Sequence, residues 1–95
     1  MFNDHIVNYI ESNNVRIDTV RINSGVVTLE LNTKNKDCIS FNASDFNRLK
    51  NLTDEELDKV IIRLDGEALR WEEVDEDLSL KGLIRLYGDQ LTNKP

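Results

Sequence analysis

One cysteine, one histidine, one proline and one tryptophan occur in 95 residues. Each scarcity closes something off. Cys38 alone cannot form an internal disulfide, which fits a reducing compartment, so a cytoplasmic setting is expected. His5 is the only imidazole, and Cys38 falls on the parity of Ser40 and Asn42, the more polar face of a strand, with no base set beside it. The one proline, Pro95, is the last residue, and no repeat, low-complexity tract or linker interrupts the chain. No run approaches the roughly 18 apolar residues of a membrane helix. Met1-Phe2-Asn3-Asp4-His5 lacks the basic and apolar regions of a secretory leader, so none is expected. A chain this short closes around one core, giving a single domain over 1–95.

Charge is plentiful and uneven. The formal net charge is −6, yet residues 54–77 carry eleven acids against Lys59, Arg63 and Arg70. That stretch is therefore −8 and the remainder +2. An acidic face repels a phosphate backbone, so direct nucleic-acid binding is not expected, whereas a basic protein complements it. The remaining cations, from Arg16 to Lys94, form no run or helix stripe that could serve as a recognition helix.

Periodicity predicts an α+β domain. Phe2, Ile6, Tyr9 and Ile10 recur at helical spacing, giving an amphipathic helix over about residues 3–12. Residues 15–22 are β-rich, but the alternation changes phase near Asp18-Thr19, which predicts a bulge. After a turn at Asn23-Ser24-Gly25, Val27, Leu29 and Leu31 alternate with polar residues, and Ile39 and Phe41 mark a third strand. Ser44 is expected to cap a short helix presenting Phe46 and Leu49, and Thr53-Asp54-Glu55-Glu56 has capping-box spacing. The β-branched run Val60-Ile61-Ile62 predicts a strand over about 59–64. Asp65-Gly66 predicts a hairpin turn and Ala68 to Trp71 the returning strand. Leu80, Leu83, Ile84 and Tyr87 then share one face of a C-terminal helix, capped by Ser79 or Asp77 and stopped by Gly88, with 89–95 expected to fray. The expected architecture is an antiparallel three-stranded meander plus a hairpin, with short helices and the C-terminal helix packed on the sheet.

The most conspicuous candidate site is acidic: Glu72, Glu73, Asp75 and Glu76, followed by Asp77. Hard cations favour such oxygens, but the alternating acids, glycine and distal glutamate of a calcium loop are missing. The bland reading makes Asp77 and Ser79 helix caps and leaves the other acids solvated, available to a partner. Trp71 shares a strand face with Leu69 and is expected to be a core anchor against the C-terminal helix. Gly82 costs about 1 kcal/mol inside a helix relative to alanine, which suggests close approach to a strand under Trp71. No glycine-rich loop cradles phosphate, and no cofactor is implied.

Two segments carry a resemblance. Trp71-Glu72-Glu73-Val74-Asp75-Glu76-Asp77-Leu78-Ser79-Leu80-Lys81-Gly82-Leu83-Ile84 and, upstream, Phe46-Asn47-Arg48-Leu49-Lys50-Asn51-Leu52-Thr53-Asp54-Glu55 resemble a bacterial family, domain of unknown function 2442, over about Phe41 to Arg85. The first dozen residues lie outside it. The chain departs from the family's pattern at Arg70, Asn47 and the loop Asn32-Thr33-Lys34-Asn35. The resemblance implies a small regulatory module, sometimes encoded beside a small protein as in toxin–antitoxin pairs and sometimes fused to a DNA-binding helix-turn-helix; it implies no activity. The expectation is thus a non-enzymatic, antitoxin-like binding module for a basic protein. A phage-style inhibitor or nucleic-acid mimic is the alternative, and a small metal-dependent enzyme is a third. Oligomeric state stays open.

Overall fold

The structure, a computed structural model, describes residues 3–92. It is α+β, with two three-stranded antiparallel sheets and short helices around a shared core. Helix α1 (Asp4–Ser12) precedes β1 (Ile17–Asn23), β2 (Val26–Leu31) and β3 (Cys38–Asn42), which pair in the order β1-β2-β3. A 3₁₀ turn (Ala43–Asp45) and helix α2 (Asp54–Leu57) lead into β4 (Ile61–Arg63), β5 (Ala68–Trp71) and β6 (Glu76–Ser79), paired as β4-β5-β6. Helices α3 (Leu80–Tyr87) and α4 (Asp89–Thr92) follow. Among the described residues, no helix is long and apolar enough to cross a membrane.

The first sheet follows its alternation closely. Val27, Leu29 and Leu31 are fully buried beside Ile39 and Phe41. The register slips between Ile17 and Thr19, so Asp18 is the extra residue of the expected bulge. Ser24 and Gly25 both have positive φ (49° and 77°), as a two-residue hairpin turn between twisted strands demands. Both turn amides donate to the Asp54 carboxylate at 2.8 Å, fastening the first hairpin to the start of α2. Thr53 completes the expected capping box: its hydroxyl accepts from the Glu56 amide, and the Glu56 side chain accepts from the Thr53 amide.

Several local expectations are corrected. Helix α1 turns Ile6, Val7 and Ile10 inward and leaves Tyr9 58% exposed, while Phe2 lies outside the described residues. Ser44 is exposed and the 3₁₀ turn has no side-chain cap, but Phe46 and Leu49 do face the core as expected, Phe46 meeting the buried Phe41 ring edge-on at 5.3 Å. The β4–β5 connection has four residues, Leu64 to Glu67, with positive φ at Leu64, Asp65 and Gly66. Gly66, at φ +91°, lies so close to β1 that a Cβ there would sit 2.7 Å from Arg16 Cβ and 2.8 Å from the Ile17 carbonyl oxygen. Only glycine permits both that φ and that approach. The segment Glu76–Ser79, read from sequence as a solvated acidic lead-in, is a strand: Leu78 points inward opposite Leu69, and Asp77 stands across the ladder from Arg70.

The C-terminal region also differs. Helix α3 does end at Gly88, its C-cap, as expected, but Gly88 keeps a right-handed φ of −62° and the separate helix α4 follows at once. A Cβ at Gly88 would strike the Ile84 carbonyl and lie 3.1 Å from the Asn3 amide nitrogen. Asn3, buried at φ 61°, donates to the carbonyls of Ile84 (3.0 Å) and Arg85 (3.2 Å), two of the last four of α3; the Ile84 carbonyl also accepts from the Gly88 amide at 2.8 Å. Residues 89–92 are ordered by Gln90, whose side-chain amide accepts from Ser40 N (2.8 Å) and donates to Ser40 O (2.7 Å) along β3. Residues 93–95 of the expected frayed tail lie outside the described residues.

Candidate acidic site

The acid-rich segment is built on the β5–β6 hairpin. Trp71 ends β5 with 2% exposure, and its indole Nε1 donates to the Leu57 carbonyl at 2.9 Å. It is the expected core anchor, tied to α2 by that bond. A 3₁₀ turn over Glu72–Val74 follows, and Asp75 reverses the chain at φ 53°, a conformation that a short polar side chain tolerates. Alternation through β6 then places Glu76 on the Trp71 face and Asp77 on the opposite one.

This arrangement divides the acids. Arg70 reaches Asp75 and Asp77 at 2.7 Å each, one nitrogen of its fork to each carboxylate. The hydrogen bond from Arg70 holds the Asp75 carboxyl below the usual aspartate range, and the same bond holds the guanidinium above its ordinary value. Arg48 donates to the Asp75 carbonyl at 2.7 Å and lies 3.9 Å from its carboxylate. Lys59 pairs with Glu73 at 3.0 Å, and that bond raises the ammonium above the usual lysine range. Glu56 is committed to its cap; the Thr53 backbone amide lowers its carboxyl. The side chains of Glu72 and Glu76 make no hydrogen bond or ion pair among the described residues. Of the four acids expected to meet a partner, Asp75 and Glu73 are thus internally neutralised, while Glu72 and Glu76 keep their charge free.

Glu72 and Glu73 border a depression of about 150 Å³ whose walls also include Leu52, Glu56, Lys59, Trp71 and Val74. Asp75 and Glu76 stand outside it. The expected structural residues behave variously. Ser79 is the N-cap of α3, accepting from the Gly82 amide at 3.0 Å. Asp77 caps nothing and serves the Arg70 pair instead. Gly82 does not lie under Trp71: the one atom a Cβ would meet is the Oγ of its own N-cap Ser79, the last residue of β6, at 3.0 Å. The part played by Arg48, Lys59 and Arg70 in bracing the acids was missed. Only for Arg70 and Asp77 would a signal have existed, in the ladder register of a strand that was not recognised. Cys38 is half-buried, its Sγ 3.5 Å from the Lys36 carbonyl. No group of three or more histidine, cysteine or acidic side chains among the described residues is placed to hold a metal ion.

The two meanders, the capping box and the tryptophan-anchored acidic hairpin define a class of small α+β domains. The chain belongs to the family described as protein of unknown function DUF2442, whose pattern matches residues 17–88. Helix α1 and the last turn lie outside that match. A crystal structure of a protein of unknown function from Rhodospirillum rubrum is 32% identical, covers 74% of this chain and 84% of its own, and superposes with a TM-score of 0.64. A solution structure of an uncharacterized protein from Chromobacterium violaceum shares the fold at 24% identity, covering 84% of this chain and 73% of its own, with a TM-score of 0.64. No curated protein matches the chain.

Proposed function

We propose that this domain is a non-enzymatic regulatory module that binds a basic protein partner, in the manner of an antitoxin, through the acidic hairpin around Glu72 and Glu76. The supporting observation is the depression beside Trp71. Its walls are apolar at Leu52, Trp71 and Val74 and carry the carboxylates of Glu56, Glu72 and Glu73, with Lys59 as the one cation. An arginine or lysine of a partner has matching parts: a hydrocarbon stem for the apolar wall and a charged head for Glu72, which has no counterion among the described residues. Glu73 and Asp75, held by Lys59 and Arg70, shape the rim and contribute less to attraction. A reducing, cytoplasmic setting suits the single free thiol.

The test begins with capture from the native host and identification of the bound protein by mass spectrometry. Titration calorimetry then compares the wild type with the Glu72→Gln, Glu73→Gln, Glu76→Gln triple variant across a salt series. The partner should be basic, and the triple variant should bind more weakly with a flatter salt dependence, because exposed charges are screened within about 8 Å at physiological salt. Equal affinity and equal salt slope would remove the acidic hairpin from the interface. Capture of a nucleic-acid-binding protein whose nucleic acid the domain displaces would favour the mimic.

A further inference from the structure

Four strands lie at sheet edges among the described residues: β1, β3, β4 and β6. An edge strand presents unpaired backbone groups, and proteins blunt such edges with charges, proline or bulges. β1 carries Asp18, Arg21 and the bulge, β4 carries Arg63, and β6 carries Glu76 and Asp77. β3, Cys38-Ile39-Ser40-Phe41-Asn42, has no charge and no proline. Its bonding parity is fixed from both ends. The Leu31 amide donates to the Asp37 carbonyl at 2.8 Å, and the Ala43 amide to the Gly25 carbonyl at 2.9 Å. Bonded pairs alternate along an antiparallel ladder, so Ile39 and Phe41 bond to β2, and Ser40 directs its N–H and C=O outward. Those are the two groups that the Gln90 side-chain amide takes, its oxygen accepting at 2.8 Å and its nitrogen donating at 2.7 Å. A neighbouring strand would make the same pair of bonds to Ser40.

We infer that Gln90 is a plug for the β3 edge: it stands in for a pairing strand at Ser40 and keeps β3 of a second copy from adding there. A second copy is the strand always at hand, and the edge is self-complementary. An antiparallel pair about a two-fold axis through Ser40 would exchange both Ser40 bonds and set Cys38 against Asn42 twice, all within the strand. That register opposes no like charges, so the side chains of β3 do not forbid it. The plug is delivered by the chain that ends α3. Tyr87 stacks on Phe41 at 5.5 Å and donates to Asp45 at 2.9 Å, docking the last turn of α3 at the end of β3. Leu91, the residue after Gln90, is partly buried against the core. With the chain held on both sides, Gln90 loses little further freedom when it bonds. β3 belongs to the first sheet and the acidic hairpin to the second, so this inference and the proposed partner site fail separately.

Amide hydrogen exchange by nuclear magnetic resonance and sedimentation equilibrium of the full chain test the plug together. Gln90→Ala should speed exchange of the Ser40 amide at least about tenfold at low protein concentration, with unchanged far-UV circular dichroism. Over about 1 µM to 1 mM it should self-associate at least about tenfold more strongly than the wild type. Adding Ser40→Pro removes the outward N–H at a position where an edge strand accepts proline, and should return self-association to the wild-type level. If Gln90→Ala does not fold, Gln90→Met, which keeps the length of the side chain and loses both bonds, gives the same reading. An unmoved Ser40 amide, a Gln90 variant that associates no more than wild type, or an increase that survives Ser40→Pro overturns the inference.

Discussion

Truncating Trp71 to alanine tests the core reading of the fold most directly. The ring is 2% exposed and its N–H is bonded to the Leu57 carbonyl. Removing a buried aromatic costs about 3–5 kcal/mol, and an abandoned buried carbonyl adds about 1–3 kcal/mol when water does not replace the donor. A 95-residue domain has roughly 5–14 kcal/mol to lose. Trp71→Ala should therefore consume much of the stability and leave the chain partly unfolded under mild denaturant. Trp71→Phe keeps most of the apolar volume and loses only the donor, so it should fall between the two. Urea denaturation followed by far-UV circular dichroism reads all three proteins, because the fluorescence of the single tryptophan vanishes in the variants. At this chain length each kcal/mol moves the melting temperature by about 4–8 °C, so heat denaturation gives a second reading. If Trp71→Ala melts like wild type yet loses the partner, the ring is an interface anchor and the core argument fails.

Two further outcomes follow from local geometry. Gly66→Ala should destabilise by more than about 2 kcal/mol, since the new methyl meets Arg16 and Ile17 at a φ of +91°. Gly82→Ala should change stability by less than about 1 kcal/mol in the same urea assay. An equal loss at both positions would contradict the close packing of the β4–β5 loop on β1. Tyr87 has its phenol pushed up to about 12, first by burial and then by its 2.9 Å bond to Asp45. A raised folded value contributes stability that is full below pH 10 and disappears as the pH rises towards 12. Asp45→Ala should lower the tyrosinate transition in an ultraviolet titration, and an unmoved transition would exclude the bond.

The first sheet was legible because its alternation is strict and each hydrophobic position faces one core; even the bulge announced itself as a change of phase at Asp18-Thr19. The second sheet was half legible. Its β-branched run and turn marked β4 and β5, but β6 has only four residues, and two of them, Glu76 and Asp77, looked like solvated acids before a helix. What makes it a strand is non-local: Arg70 across the ladder and Leu69 beneath Leu78. The same reasoning applies at the termini. Asn3 and Gln90 bond to backbone 81 and 50 residues away, and no periodicity reports partners at that separation. The phrase from Trp71 to Ile84 carried the family resemblance, and in the structure it spells a core ring, a left-handed turn at Asp75, an ion pair at Asp77 and a cap at Ser79. Its legibility therefore concerned the fold; the acids free to meet a partner, Glu72 and Glu76, could be separated from the neutralised ones only in three dimensions.

The clasp between Asp54 and the Ser24-Gly25 turn bears on how the chain reaches its native state. Its two bonds span 30 and 29 residues, and they need both the finished first hairpin and the start of α2. Local hairpins close in microseconds, whereas this contact rewards the chain only after the longer loop has closed. A contact that forms after the folding barrier retards opening and leaves the rate of folding nearly untouched, so a late clasp predicts that Asp54→Ala speeds unfolding alone in stopped-flow kinetics. The first meander and α2, far apart in sequence, are fastened to each other in this way.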